Sequence, residues 1–371
     1  MRYHIVDLFT QTKDTDPDLR FMALNDLEKE VLNAPESFQQ SEKNEYSGIL
    51  LRCLDDEASS VRTQALKCYE SFAPIMGSLS ISVITTLTKK KTDKISITSS
   101  IYTMAIHNIV KNLPSDEGIE KDIIKIGLQQ IFSSSQNFFK TIDYIEILSD
   151  LLEFLGTSFS SSQLTNTAQL LIDASYKADA VISKKSIVSL NTLARSITSQ
   201  DQLTVLLSKI SANSNSNTST KTQITTFGIL NNLIRGNPAL LGNLIQDLWT
   251  TVVNGLKLDS LHAPDEDFDT QQEIEEIRSE GLTCIASMVE NFAPEIMETY
   301  INDILGISAR FITYDPYADD DDQEDEGSDM DEDEDDYEDS DIDEEYDDDD
   351  DSSGLSWKLR RDAPKLVIEG Y

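Results

Sequence analysis

A short signature recurs along the chain at multiples of one spacing. It consists of an aliphatic residue, an arginine, two further residues and a small residue, and its four copies occupy residues 19–23, 61–65, 277–281 and 359–363. Arg20 and Arg62 are 42 positions apart, while Arg62 and Arg278 are 216 apart, or about five periods of 43. Because such periods are typical of two-helix repeats of the HEAT type, the spacing predicts an array of helical repeats.

Each copy of the signature combines an arginine with a small residue. The pairs are Arg20 with Ala23, Arg62 with Ala65, Arg278 with Gly281, and Arg360 with Ala363. The small residue follows the aliphatic one by four positions, so both lie on one helix face, where a small side chain permits close approach of a neighbouring helix. We expect the arginine to pair with an acid one repeat away or to cap a helix end.

The predicted fold is an all-α HEAT-repeat right-handed solenoid of seven to eight helix pairs. The residues that we expect to be buried between its helices are Leu19, Ala23, Leu27, Val61, Ala65, Leu66, Ile277 and Leu282.

One acidic tract dominates the charge of the chain. Residues 315–353 hold 26 of the 68 acids and no Lys or Arg, so the rest has 42 acids against 30 bases. Arg278 and Arg360 are 82 positions apart, and removing the 39 residues of the tract leaves 43, so the tract is predicted to be a loop inserted into a repeat. Such runs are usually disordered because they repel themselves and bury no apolar surface. Ser328 and Ser340, each followed by acids, resemble sites for acid-directed kinases.

These boundaries predict three regions. Residues 1–314 form the HEAT-repeat solenoid, residues 315–353 the disordered acidic loop, and residues 354–371 the start of a further, incomplete repeat, in which Pro364 interrupts the helix.

Two local patterns test the repeat hypothesis. Residues 80–101 are rich in Ile, Val and Thr, which favour strands, but the repeat context predicts helix. Four prolines, each after an apparent helix end, predict helix termini: Pro35, Pro74, Pro114 and Pro294.

Several function classes are disfavoured by composition. No apolar stretch approaches the 18 residues of a membrane span, Asp7 interrupts any signal sequence, and the acidic balance opposes nucleic acid as a partner. The three cysteines form no disulfide framework, so a cytoplasmic and nuclear localisation is expected. The histidines are isolated from other metal ligands, and no phosphate loop or nucleophile elbow occurs. We therefore predict no catalytic residue, no cofactor and no metal, and not an enzyme.

Three separate motifs resemble one known family. Residues 3–8 with 20–27, residues 311–317 before the acidic tract, and residues 356–361 after it are similar to the corresponding parts of the cullin-associated and neddylation-dissociated proteins. The order and spacing of the motifs make the resemblance specific, although residues 70–265 are much less similar.

The resemblance implies a regulatory function in ubiquitin ligation. Such proteins bind unmodified cullin with its RING-box subunit, block neddylation, and take part in SCF assembly and substrate-receptor exchange. The chain matches about the first third of such proteins, so it is either a natural N-terminal half, completed by a second chain with the C-terminal repeats, or a truncated one. The alternatives are a karyopherin-like HEAT transport receptor and an acidic chaperone for basic proteins.

Overall fold

The computed structural model describes residues 3–93, 98–133, 141–213, 219–258, 268–314 and 356–365. All regular secondary structure in these ranges is helical, and they contain no strand. The all-α prediction is therefore confirmed, while the acidic tract, with Ser328 and Ser340, lies outside the described residues.

The chain divides into two compact units, Met1–Gln202 and Leu203–Tyr371. The helices of the first unit are α1 (Tyr3–Gln11), α2 (Pro17–Asn33), α3 (Gln40–Cys53), α4 (Ser59–Met76), α5 (Leu79–Asp93), α6 (Thr98–Lys111), α7 (Glu117–Ser133), α8 (Ile142–Leu155), α9 (Ser161–Lys177) and α10 (Ala180–Ser196). Those that follow are α11 (Gln200–Asn213), α12 (Thr220–Gly236), α13 (Pro238–Leu241), α14 (Ile245–Gly255), α15 (Phe268–Asn291), α16 (Pro294–Met297), α17 (Ile301–Ile312) and α18 (Ser356–Asp362).

The first unit is a two-layer array of helical hairpins. Consecutive helices pair as α1 with α2, α3 with α4, α5 with α6, α7 with α8, and α9 with α10. The second helix of each hairpin packs beside the second helix of the next, in the order α2, α4, α6, α8 and α10, which we call the second-helix layer. Each hairpin thus buries its apolar face against its neighbours, as in other repeat arrays.

The second unit repeats this arrangement with longer connections. Helix α12 packs on α15, α15 packs on α14, and α18 packs on both α15 and α17. Helix α11 precedes α12, so the described helices of more than four residues number sixteen, which corresponds to eight helices followed by eight partners along the chain.

The segment with strand-favouring composition is helical, as the repeat context predicts. Helix α5 covers residues 79–93 and α6 starts at Thr98, while residues 94–97 lie outside the described part. The hydroxyls of Thr85, Thr86 and Thr88 donate to main-chain carbonyls four residues earlier, at 2.7–2.9 Å. These local bonds satisfy the hydroxyls inside the helix, so the tertiary burial of its apolar face decides the conformation.

Seven of the eight residues that we expected to be buried are buried, and one expectation is wrong. Leu19 is 42 % exposed, whereas Val61, at the same position of the next signature, is fully buried. Among the described helices, α4 has second-layer neighbours on both sides, α2 and α6, but α2 has one only on the α4 side. Helix α2 thus lacks the second flanking helix that α4 has, which accounts for the exposure of Leu19.

One of the four proline predictions is also wrong. Helices α2, α6 and α15 end before Pro35, Pro114 and Pro294, as expected, but Pro74 lies inside α4, two residues before its end. The residue that terminates α4 is Gly77, whose φ of 55° lies in the region that glycine adopts without a steric penalty. Pro74 has no N–H to donate to the carbonyl four residues earlier, so α4 lacks this one hydrogen bond in its last turn.

The tight contact at Gly281 gives a first prediction. A Cβ added at Gly281 would lie 2.5 Å from Leu256 Cδ2 and 3.4 Å from Phe227 Cε2, so Gly281→Val should destabilise the second unit by about 1–3 kcal/mol through overpacking. Gly48, in α3, has open space around that position, so Gly48→Ala should instead stabilise by about 0.5–1 kcal/mol. Urea unfolding of both variants measures these changes in the free energy of unfolding. A Gly281→Val protein as stable as the parent would contradict the close approach.

Candidate functional site

The first two signature arginines fasten loops to helices. Arg20 Nη1 donates to the carbonyls of Asp14 and Thr15 at 2.9 and 3.0 Å, six and five residues upstream. Arg62 Nη1 does the same to the carbonyls of Asp56 and Glu57, at 2.7 and 2.9 Å, with identical offsets. Each arginine thus closes the loop that precedes its own helix.

Arg20 also joins two repeats. Its Nε and Nη2 donate to the two carboxylate oxygens of Asp56, 36 positions later, at 2.8 and 2.7 Å. Asp56 accepts a further bond from the Ala58 N–H at 2.9 Å. Burial works to raise the pKa of Asp56, but the hydrogen bonds from Arg20 and Ala58 outweigh it and lower that pKa. The carboxylate therefore stays ionised and ties the loop before α4 to α2.

The third signature arginine has a different environment. Arg278 is 1 % exposed, and its Nη1 donates to the Tyr314 hydroxyl at 3.1 Å, again 36 positions later. Tyr314 donates to Glu275 Oε1 at 3.2 Å and accepts from Gln271. Burial raises the pKa of Tyr314 to about 12, against the opposing charge of Arg278, so the phenol stays protonated. This buried cluster holds the last described residue before the acidic tract against α15.

The fourth copy lies on a short helix after the tract. Leu359 in α18 and Ala363 directly after it are buried, and α18 packs on α15 and α17, while Arg360 is exposed. The described residues on both sides of the tract therefore pack on the same helix, α15.

A groove opens on the second-helix layer of the first unit. It has a volume of about 290 Å³ and crosses α6, α8 and α10. Its lining combines polar and apolar side chains: Thr103, Met104, His107, Asn108, Glu146, Ser149, Asp150 and Lys185. We call it the α6–α8–α10 groove.

Polar contacts between neighbouring helices build the groove. His107 Nδ1 and Asp150 Oδ1 are 2.9 Å apart, and Asn108 Nδ2 donates to the Leu66 carbonyl at 2.9 Å. Ser149 is hydrogen-bonded to Ser189. Burial raises the pKa of Asp150, against the hydrogen bond and charge of His107. The bonds fix the relative rotation of the helices and thereby the shape of the groove.

The sequence reasoning missed this groove. It treated His107 as an isolated histidine, but His107 and Asp150 are 43 positions apart, which is the repeat period itself. Asn108 and Leu66 are 42 apart, and Ser149 and Ser189 are 40 apart. Residues one period apart are neighbours in a solenoid, so a search for polar pairs at this separation is the signal that would have found them.

No group of three or more potential metal ligands occurs among the described residues, and no described helix is long and apolar enough to cross a membrane. The three cysteines are buried, and burial raises the pKa of Cys53 to about 11 and that of Cys68 to about 12. Their thiols are packed and protonated, so they are poor nucleophiles.

The chain is similar in sequence to several known proteins. No protein-family model matches the chain. The Cullin-associated NEDD8-dissociated protein 1 of Candida albicans is 26 % identical over 353 residues, which cover 85 % of this chain and 28 % of that protein. The resemblance to the cullin-associated NEDD8-dissociated family is confirmed. The chain thus spans less than a third of the length of this relative.

A second relative is shorter. The N-terminal part of Cullin-associated NEDD8-dissociated protein 1 from Emericella nidulans is 33 % identical over 113 residues, which cover 29 % of this chain and 32 % of that protein.

The fold has solved counterparts among the karyopherins. The crystal structure of the karyopherin Kap121p bound to the SUMO protease Ulp1p matches 84 % of this chain and 35 % of that chain, with a TM-score of 0.54 and 12 % identity. This likeness concerns the fold alone and confirms the prediction of a HEAT-repeat solenoid.

The buried tyrosine cluster gives a second prediction. Tyr314→Phe removes the hydroxyl that Arg278, Gln271 and Glu275 share, so it should cost about 1–3 kcal/mol of unfolding free energy. The matched control is Tyr69→Phe, because the buried Tyr69 hydroxyl has no hydrogen-bond partner among the described residues. We expect this control to be neutral or stabilising in urea unfolding. Equal losses in the two variants would show that the hydroxyl contacts of Tyr314 contribute nothing.

A third prediction concerns Glu280 of α15. Burial, with the negative charge of Glu276, raises the pKa of Glu280 above its usual 4.5. The ionised form therefore opposes folding at neutral pH, and Glu280→Gln should raise the thermal midpoint at pH 7. The gain should shrink as the pH falls through the raised pKa and vanish below about 4.5, where the carboxyl is protonated in both folded and unfolded chains.

The pH series needs a charge control. Glu290→Gln removes the same charge from an exposed position of the same helix and should leave the midpoint nearly unchanged. A Glu280→Gln effect that is independent of pH would contradict the electrostatic origin.

Proposed function

We propose that the chain is a regulatory binding protein of cullin–RING ubiquitin ligases, which binds unmodified cullin together with its RING-box subunit. The observation that carries this proposal is the similarity, over 85 % of the chain, to a protein named for association with cullin and dissociation from NEDD8. The solenoid fold is consistent with it, since repeat arrays commonly serve as extended binding surfaces.

The second-helix layer supplies a surface for such binding in the first unit. Side chains of α4, α6, α8 and α10 lie exposed along it, and the bonds between neighbouring helices hold them in register. An elongated partner can contact several repeats at once and bury more than the standard interface area of about 1,600 Å².

The proposed regulation follows from coverage of the modification site. If the bound chain covers the cullin surface that receives NEDD8, modified and bound cullin are mutually exclusive states, and binding blocks neddylation. In this proposal the chain takes part in SCF assembly and substrate-receptor exchange together with a second chain that carries C-terminal repeats. Linking two contact regions raises affinity through effective concentration.

Two alternatives make different predictions about partners. A karyopherin-like transport receptor would bind Ran and cargo, but the likeness to Kap121p at 12 % identity concerns the fold alone. An acidic chaperone would bind histones or other basic proteins through residues 315–353 and would not distinguish modified from unmodified cullin.

The fourth prediction tests this proposal directly. The full chain should bind a purified cullin–RING-box complex at least tenfold more tightly when the cullin is unmodified than when it carries NEDD8, because the modifier and the chain compete for one surface. Calorimetry or surface plasmon resonance measures both dissociation constants. Ran with GTP and a histone octamer are the controls for the two alternatives.

Equal affinity for the two cullin forms would refute the exclusion mechanism. Binding to Ran or to histones, with none to cullin, would replace the proposal by the corresponding alternative.

A further inference from the structure

The lining of the α6–α8–α10 groove has more carboxylates than ammonium groups. Asp150 is hydrogen-bonded to His107 and lies near the positive charge of Lys185. Glu146, one turn earlier on α8, lines the same groove and has no hydrogen bond or ion pair with any of the described residues. Asp150 and Glu146 share the groove with the single ammonium group of Lys185, so the lining carries one more carboxylate than ammonium group.

One large apolar side chain lines the groove, and a second packs on the histidine at its edge. Met104 lines the groove and is 54 % exposed. Phe154 is 37 % exposed, and its ring packs edge-on against the ring of His107 with the centroids 5.6 Å apart. Exposed apolar surface beside an unpaired carboxylate suits a ligand that has an apolar stem and a cationic head.

The volume of the groove restricts the size of the ligand that it can bind. A volume of about 290 Å³ lies at the lower limit of pockets for small molecules, and here it is open to solvent along a helix layer. One long basic side chain fits this space, with its methylene groups against Met104 and its charged group near Glu146.

We propose that the α6–α8–α10 groove receives an arginine or lysine side chain, projected by an apolar-flanked segment of the protein that the solenoid binds. This inference rests on the proposed function, because the occupant is then a basic side chain of the cullin–RING-box complex. Outside residues 315–353 the chain has 42 acids against 30 bases, and this net negative charge also favours a basic surface on the partner.

The fifth prediction tests the groove with charge variants of the full chain. Glu146→Gln removes the unpaired charge and should weaken binding to unmodified cullin–RING-box complex about three- to tenfold. Glu146→Lys places a cation where the incoming cation lies and should weaken binding by at least tenfold. Both variants should keep the thermal midpoint of the parent, because Glu146 has no described partner to lose. Raising the salt concentration should weaken the parent more than Glu146→Gln.

The matched control is Glu45→Lys. Glu45 is exposed on α3, outside the second-helix layer, and its reversal changes the net charge by the same amount. We expect its dissociation constant to stay within twofold of the parent.

The possible outcomes distinguish a failure of the groove assignment from a failure of the proposed function. If the parent binds cullin and Glu146→Lys binds equally well, the groove is not a contact and the proposed function stands. Equal weakening by Glu146→Lys and Glu45→Lys would also overturn the groove, because net charge would then explain the effect. If the parent binds no cullin complex, the proposed function fails and the groove assignment fails with it.

Discussion

Side-by-side packing of successive second helices is the constraint on which the rest of this structure depends. Each helix of the layer must bury apolar surface against the next, which places residues one repeat apart in contact. The separations of bonded pairs show this register: 43 for His107 with Asp150, and 44 for the Cys68 thiol with the Leu24 carbonyl. In the second unit the Cys284 thiol reaches the Phe227 carbonyl across 57 positions, so the period of 43 is an average that longer connections interrupt.

The signature arginine recurs at the same position of the repeat, but its chemical role differs between copies. Arg20 and Arg62 lie near the surface and bind loop carbonyls, whereas Arg278 is buried and bonded to Tyr314. Burying a guanidinium group is costly unless hydrogen bonds and a nearby acid compensate it, and Glu275 is the acid in this cluster. The same sequence position thus fastens a loop in one unit and anchors the residue that precedes the acidic tract in the other.

Binding surfaces in such an array are properties of several repeats together. The α6–α8–α10 groove needs three consecutive second helices, and its shape depends on bonds between them, such as that between His107 and Asp150. A single hairpin would hold neither the groove nor the unpaired Glu146 in place. The proposed contact at the groove therefore depends on the packing of several repeats rather than on any single motif.

The sequence by itself determined the helical class and the repeat period, because spacing and composition carry them, and three short motifs carried the resemblance to the cullin-associated proteins. Even the Ile-, Val- and Thr-rich residues of α5 followed the repeat. Only the tertiary structure decided which side chains are covered. Leu19 and Val61 share a signature position, yet Leu19 is exposed, since burial depends on whether helices flank both sides of its own. The groove escaped sequence reasoning for a related reason: the period brings His107 to Asp150, but the rotation of each helix, set by packing, decides which such pairs face solvent.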